Sequence, residues 1–378
     1  MQKGSRRMNV VSIIMAAFSL LAALDLITGN HLKIGKEFER GLHMLGPMAI
    51  SMVGMLVLVP AIEALLAPFL RAVTGVLPLE PSSLVGCLLA NDMGGAPLSL
   101  ALSKTELSGY FNGLVVGSMM GATVSFTIPL AMGVVRKEQR DKMLMGLLCG
   151  ICTVPVGCLV SGLMLAMPPL ELLVNVVPLL LFAALLVLAL LFIPRAAVKI
   201  FSVLGSAVRI VILCGLAAGL FSFLTGVKIP YTAPIEEGFS VIFKCAAVMT
   251  GAFPLISLLS RALRRPLTAL GRRIGINPVS AVNLVGTLAT NLTTFSMMGE
   301  MDDKGVVLNS AFAVSAAFTF AGHLAFTLSV NPDCLPAVIV GKLVAGFCAL
   351  PVAAFFYARQ DRTPKENAPA PTETASAT

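Results

Sequence analysis

One stretch of this chain carries reactive groups in surroundings that otherwise have almost none. Leu88-Leu89-Ala90-Asn91-Asp92-Met93-Gly94-Gly95-Ala96-Pro97 sets an amide, an acid, two glycines and a proline inside an apolar run. Gly and Pro are the poorest helix formers, so the stretch predicts a broken helix with unwound backbone. At membrane depth such backbone survives only where protein or a cavity surrounds it, and an ionised carboxylate there costs about 3 kcal/mol or more. Asp92 is therefore the strongest site candidate, with Asn91, Gly94 and Gly95 beside it. The plain alternative is an acid that caps a helix or sits at a span end near water. A second polar interruption, Thr290-Asn291-Leu292-Thr293-Thr294, is uncharged and makes Asn291 its candidate.

Other polar residues are thinly spread. Ser118, Ser125, Asn112, Asn309, Ser315 and Thr319 lie in apolar runs, and each can bond either a neighbouring helix or a solute. His323 is deep in such a run with no carboxylate near it in sequence, which suits a ligand-facing or proton-handling group as well as a structural one. Gly113, Gly117 and Gly121 recur at spacing four and so share one helix face for close packing. Asp25, Glu63, Lys244 and Lys342 read as charges that snorkel or pair near helix ends.

Several chemistries lack their signatures. There is no G-x-x-x-x-G-K-[ST] loop and no H-E-x-x-H pair, and Asp92 has no second central carboxylate for aspartyl proteolysis. Cys149-Gly150-Ile151-Cys152 has no partner pair, and the eight cysteines read as small buried hydrophobes. The absence of Trp excludes a tryptophan-lined cage for a quaternary ammonium, and three Tyr argue against a tyrosine one. No metal or cofactor is expected.

The elements that hold these residues are set by composition. With 57% hydrophobic and 12% charged residues, the chain cannot coat a soluble globule and belongs in a bilayer. The net charge of +8 lies in short basic clusters between apolar runs, which is not the continuous face of a nucleic-acid binder. Runs long enough to cross a membrane fall at about 8–29, 41–70, 83–103, 109–135, 142–167, 171–194, 201–225, 237–260, 278–299, 305–330 and 335–358. The expected fold is an all-α integral membrane protein with about nine to eleven transmembrane segments.

Those segments repeat. Thr28-Gly29 matches Thr225-Gly226, Met52-x-Gly54 matches Met249-x-Gly251, and Gly86-x-Leu88-x-x-Asn91 matches Gly286-x-Leu288-x-x-Asn291, at a nearly constant offset of about 197 residues. The chain is thus expected to divide into a first membrane repeat over 1–170, a linking helix over 171–200, a second repeat over 201–358 and a disordered cytoplasmic tail over 359–378. The first segment, preceded by Lys3, Arg6 and Arg7, imitates a cleaved signal peptide, but its part in the repeat argues against cleavage. The positive-inside rule favours inverted repeats whose segments near 83–103 and 278–299 are broken or re-entrant. That arrangement gathers Lys33, Lys36, Arg40, Arg359, Arg362 and Lys365 with the basic clusters on the cytoplasmic side, and secondary transporters are often built so.

Asp92-Met93-Gly94-Gly95, Gly117-Ser118-Met119-Met120-Gly121, Ile128-Pro129, Gly251-Ala252-Phe253-Pro254, Phe312-Ala313-Val314-Ser315-Ala316-Ala317-Phe318, His323-Leu324 and Val340-Gly341-Lys342-Leu343 run in order along nearly the whole chain. Together they resemble the ethanolamine permeases of bacterial ethanolamine-utilization systems. The resemblance implies a multi-pass protein of the bacterial inner membrane that carries ethanolamine inward for catabolism. Two positions depart from that pattern: Asn91 stands where the family has Cys, and Gly322 where it usually has an acid before the histidine.

Ethanolamine is mostly a protonated ammonium at neutral pH, so a carrier must supply a counter-charge and partners for the hydroxyl. Asp92 suits the first role, and Asn91, Asn291 and Ser118 the second. The carrier matters most in acid, where the permeant neutral amine is scarce. The resemblance thus implies a facilitator or secondary transporter working by alternating access between the repeats, with ethanolamine or a similar small amine and the lipid bilayer as partners. Carriage of another small amine or organic solute is the alternative, and a membrane-embedded hydrolase using Asp92 and His323 is one of a different class. Assembly into a homo-oligomer is left open.

Overall fold

The computed structural model describes residues 10–76 and 79–361. Most of the expected tail and the basic residues ahead of the first segment lie outside them. The described residues are helical without strands, as hydrocarbon demands of backbone groups that must pair within their own segment. Among the described residues eight helices are long and apolar enough to span a membrane: α1 (Val10–Ile27), α2 (Gly35–Phe69), α5 (Glu106–Val134), α6 (Lys137–Met164), α7 (Pro169–Phe192), α8 (Pro194–Thr225), α9 (Ile235–Ile274) and α14 (Pro332–Gln360).

Three further segments are interrupted. The first is α3 (Pro81–Leu88) and α4 (Gly95–Leu102), the second α10 (Pro278–Thr287) and α11 (Asn291–Ser296). The breaks lie where polar residues, glycine and proline are expected to place them. Each segment opens with a proline at its first helical position, where the missing N–H costs nothing. At about 1.5 Å per residue, neither half of either segment reaches across a bilayer. The ends of each are fastened together instead. Lys104 donates its backbone N–H to Glu80 Oε1 (2.9 Å) and its Nζ to the Leu79 carbonyl (2.8 Å); Asn277 Nδ2 donates to the Glu300 carbonyl (2.8 Å), and Lys304 Nζ to that of Ile274.

The third interruption is a correction. Residues 305–330 are expected as one segment but form α12 (Asp303–Ala316) and α13 (Gly322–Val330). Tertiary bonds unwind the chain between them: Phe318 N–H bonds the Thr287 carbonyl (3.2 Å) and Phe320 N–H that of Leu288 (3.0 Å).

The middle of α5 and all but the first residues of α12 are buried, so these two helices form the centre of the bundle. They meet where Thr123 Oγ1 donates to the Val314 carbonyl (3.1 Å). Each also holds a broken segment through an asparagine. Asn112 Nδ2 bonds Ser82 Oγ (2.9 Å), and Asn309 Nδ2 the Ser280 carbonyl (2.9 Å). Around this centre helices approach closely at glycines. A Cβ at Gly54 would overlap the Ile212 carbonyl, and one at Gly157 that of Gly341.

Asp25 is explained by structure alone. Its carboxylate accepts the N–H groups of Leu32 (2.7 Å), Ile34 (2.9 Å) and Gly35 (3.0 Å), closing the turn from α1 into α2. Asp25→Ala leaves the Leu32 and Ile34 donors unsatisfied, Gly35 N–H keeping Asn30 Oδ1 (3.0 Å), so the variant is expected to melt at lower temperature in detergent while the protein that remains folded keeps its activity.

Candidate functional site

The first broken segment is seated on the glycine face of α5. A Cβ at Gly121 would overlap the Leu89 carbonyl, one at Gly117 would lie 3.2 Å from Asn91 N, and one at Gly113 2.7 Å from Ala96 Cα. With small residues there, backbone lies on backbone. Leu89 and Ala90 are extended, Asn91–Met93 make one tight turn, and Gly94 turns the chain back with φ at +102°. Only glycine adopts that φ readily, and a side chain would also run into Met55. Ala90 N–H, freed from helix bonding, is taken by Ser125 Oγ (3.1 Å). Pro97 falls in the first turn of α4, where no N–H is needed.

This cradle presents Asn91 and Asp92. Asn91 is fully buried, yet neither atom of its amide has a hydrogen-bond partner. Such a group costs about 1–3 kcal/mol, which suits a residue that meets its partner only when a solute binds. Asp92 is partly buried, and its carboxylate bonds its own backbone N–H. It interacts electrostatically with Lys342 without forming a contact ion pair: among the described residues the ion pair within 4.0 Å is that of Arg40 with Glu37.

Lys342 is the group that sequence reasoning passed over. It does not snorkel: it enters from α14, is 1% exposed and belongs among the largest fully buried side chains. Its Nζ donates to the Ser118 carbonyl (2.6 Å) and stands 3.2 Å from His323 Nδ1. The signal available in sequence was its place about two turns inside an apolar helix, directly after Gly341. Ser118 lies where α5 is wound as a π-helix, Phe111–Gly121, a form frequent at functional sites. Its hydroxyl is turned away to the Val115 carbonyl (2.9 Å), so Ser118 faces the centre with its backbone oxygen.

His323 lies in the first turn of α13, is buried, and packs its ring on Phe318 with centroids 5.0 Å apart. Phe318 has φ at +61°, a strained position for a bulky residue of the kind found at functional sites, fixed by the bonds to the second broken segment. An ammonium at Lys342 makes His323 Nδ1 an acceptor and places the ring's own proton on Nε2. Asp92 and His323 do not bond each other among the described residues, as a hydrolase built on that pair would need.

The structure thus brings Ser118 and His323 onto Lys342, with the Asp92 carboxylate near enough to interact with it electrostatically, while Asn91, Gly94 and Gly95 belong to the break that presents Asp92. Asn291 and Ser315 sit elsewhere in the core. Asn291 Nδ2 donates to Thr127 Oγ1 (2.9 Å) while its Oδ1 is unpartnered, and the buried Ser315 hydroxyl is unpartnered too. A cleft of about 490 Å³, lined among others by Ser51, Met93, Ser125, Ser202 and Arg209, reaches the break from its flank.

Chemically the centre can hold one primary ammonium. The Ser118 carbonyl and His323 Nδ1 accept from the ammonium of Lys342, and the Asp92 carboxylate adds a negative charge that interacts with it electrostatically. A second cation about 4 Å away would add about 4 kcal/mol of repulsion at an effective dielectric constant of 20.

Comparison with known proteins points the same way. A family model described as "Ethanolamine utilisation protein, EutH" matches residues 8–356. A "Probable ethanolamine permease EutH" of Listeria monocytogenes is 40% identical over 92% of this chain and 93% of its own. One of the same description from Escherichia coli K12 is 34% identical over 94% and 97%, and a Bacillus subtilis protein described as uncharacterized, YxeR, is 34% identical over 92% and 94%. No solved structure matches the chain.

Proposed function

The chain belongs to the EutH family of ethanolamine utilisation proteins, and from that membership we propose that it carries ethanolamine, as the ammonium, across the bacterial inner membrane. The observation that carries this reading is the set of acceptors around the Lys342 ammonium, because ethanolamine ends in the same –CH₂–NH₃⁺ group. Asp92 is the counter-charge, the Ser118 carbonyl and His323 Nδ1 are its neutral acceptors, and the Asn91 amide receives the hydroxyl. Gly94 and Gly95 let the loop that presents Asp92 fold tightly, since a Cβ at either would meet Met55 or the Leu89 and Ala90 carbonyls. Asn291 and Ser315 line the part of the path contributed by the second half.

Transport proceeds by alternating access between two inverted repeats, 1–170 and 201–358, joined by the helix over 171–200. Three features support this. Both broken segments return to the end they started from, each is tied to its central helix by an asparagine, and the basic residues cluster at one end. There Arg261 Nη2 bonds the Lys33 carbonyl (2.8 Å), Gln139 the Met298 carbonyl (2.7 Å) and Lys142 Gln360 (3.1 Å). That end is cytoplasmic by the positive-inside rule.

A second reading, carriage of a different small primary amine, is favoured by Gly322. A Cβ there would find its nearest neighbours, Met249 and Phe318, 3.9 and 4.0 Å away, so the position beside His323 admits a side chain that this chain lacks. One competition series in proteoliposomes separates the readings. Propylamine and other primary amines are expected to compete with labelled ethanolamine, and choline and ethylene glycol to fail, because a quaternary nitrogen offers no N–H and a diol no charge. Choline competing as well as ethanolamine itself sinks the proposed ligand set, and a primary amine that outcompetes ethanolamine by tenfold or more replaces it as substrate.

A further inference from the structure

The centre holds one carboxylate but must deal with two ammonium groups, its own and the substrate's. Lys342 is faced by Asp92 from the first break, by His323 from α13, by the Ser118 carbonyl from α5 and by Cys158 from α6, while Cys245 of α9 faces Asp92. Among these groups Asp92 is the one carboxylic acid. Lys342 already uses two of the acceptors that a primary ammonium would take, and it is buried too deeply for water to screen a second cation beside it.

We propose that Lys342 is an internal stand-in for the substrate, holding the acceptors of the empty site as an ammonium and giving up one proton when the ammonium of ethanolamine takes its place. The inference rests on the reading above that Asp92 receives the substrate's ammonium. The cycle balances. Outside, R–NH₃⁺ enters and the Lys342 N–H bond facing His323 Nδ1 releases H⁺ to the outer water, leaving Lys342 as a neutral amine. After the carrier turns inward, R–NH₃⁺ leaves and Lys342 takes a proton from the inner water. The reloaded carrier then turns back. One substrate cation moves in, one proton moves out, and the site carries the same net charge in both halves of the cycle.

The test uses the full chain in proteoliposomes with membrane potential clamped by a potassium gradient and valinomycin, an internal pH dye and labelled ethanolamine. Wild-type influx is expected to raise the internal pH and to be indifferent to the clamped potential. Lys342→Met removes the stand-in, so its influx becomes that of a bare cation. Under a tenfold potassium gradient, inside negative, it accumulates ethanolamine roughly tenfold. Lys342→Arg keeps a charge that is not released and is expected to reduce uptake to the level of protein-free vesicles. Wild-type influx that follows the potential overturns the inference, even if neither variant folds. A folded Lys342→Met protein whose uptake stays indifferent to potential overturns it too, because neutral amine is then what crosses. No wild-type uptake above protein-free vesicles under any gradient refutes the transport reading and takes the inference with it.

Discussion

Replacing Asp92 with Asn is expected to cut the initial rate of ethanolamine uptake roughly a hundredfold to several thousandfold, because removing the counter-charge of a buried ammonium costs about 3–5 kcal/mol and each 1.4 kcal/mol is about tenfold. The change preserves shape and removes the charge. The fold has little to lose, since the carboxylate bonds its own backbone N–H and the break is held by Ser125, Gly94 and the glycine face of α5. Lys342 keeps the Ser118 carbonyl and His323 Nδ1. Wild-type yield with a wild-type elution profile in detergent is therefore part of the expected result. Uptake by the variant at the wild-type rate, at matched incorporation into vesicles, would remove Asp92 from the mechanism and leave the centre without its counter-charge.

How far the sequence discloses this centre depends on whether a residue's role is local. Asn91, Asp92, Gly94, Gly95 and Pro97 announce a broken helix because the reasons for the break lie within ten residues of one another. The long helices are equally plain, since uniform apolarity over a bilayer's thickness has few other meanings. The break between α12 and α13 has no such mark. Ala317-Phe318-Thr319-Phe320-Ala321 contains neither glycine nor proline, and only bonds to Thr287 and Leu288, distant in sequence, hold it open. Lys342 is hidden for a related reason. In a sequence it is one lysine near the start of a span, indistinguishable from those that reach back to the interface. What makes it different is that α5, α13 and the first break converge on it, and His323 owes its role to the same convergence.

The seat of the break makes Gly121 as sensitive as the acid it supports. Gly121→Ala places a methyl on the Leu89 carbonyl, with the Gly86 carbonyl only 2.6 Å from it. Both obstacles are backbone, so no side chain can swing aside, and relief requires α5 and the broken segment to part. Overpacking of this kind costs about 1–3 kcal/mol, and here the displaced atoms are those that aim Asn91 and Asp92. A shift of about 1 Å in such a positioning element is enough to cost roughly a hundredfold in rate. The variant is therefore expected to lose both thermal stability and uptake. Gly133→Ala is the matched control, on an exposed helical position where a Cβ meets nothing within 4 Å; it is expected to leave uptake unchanged and stability unchanged or about 0.5–1 kcal/mol higher, as removing an unneeded helical glycine does. Melting in detergent and uptake in vesicles, measured on both variants, separate a specific seat from a general intolerance of larger residues. If Gly121→Ala behaves like Gly133→Ala, the broken segment is not held on α5 as described, and the placement of Asp92 beside Lys342 falls with it.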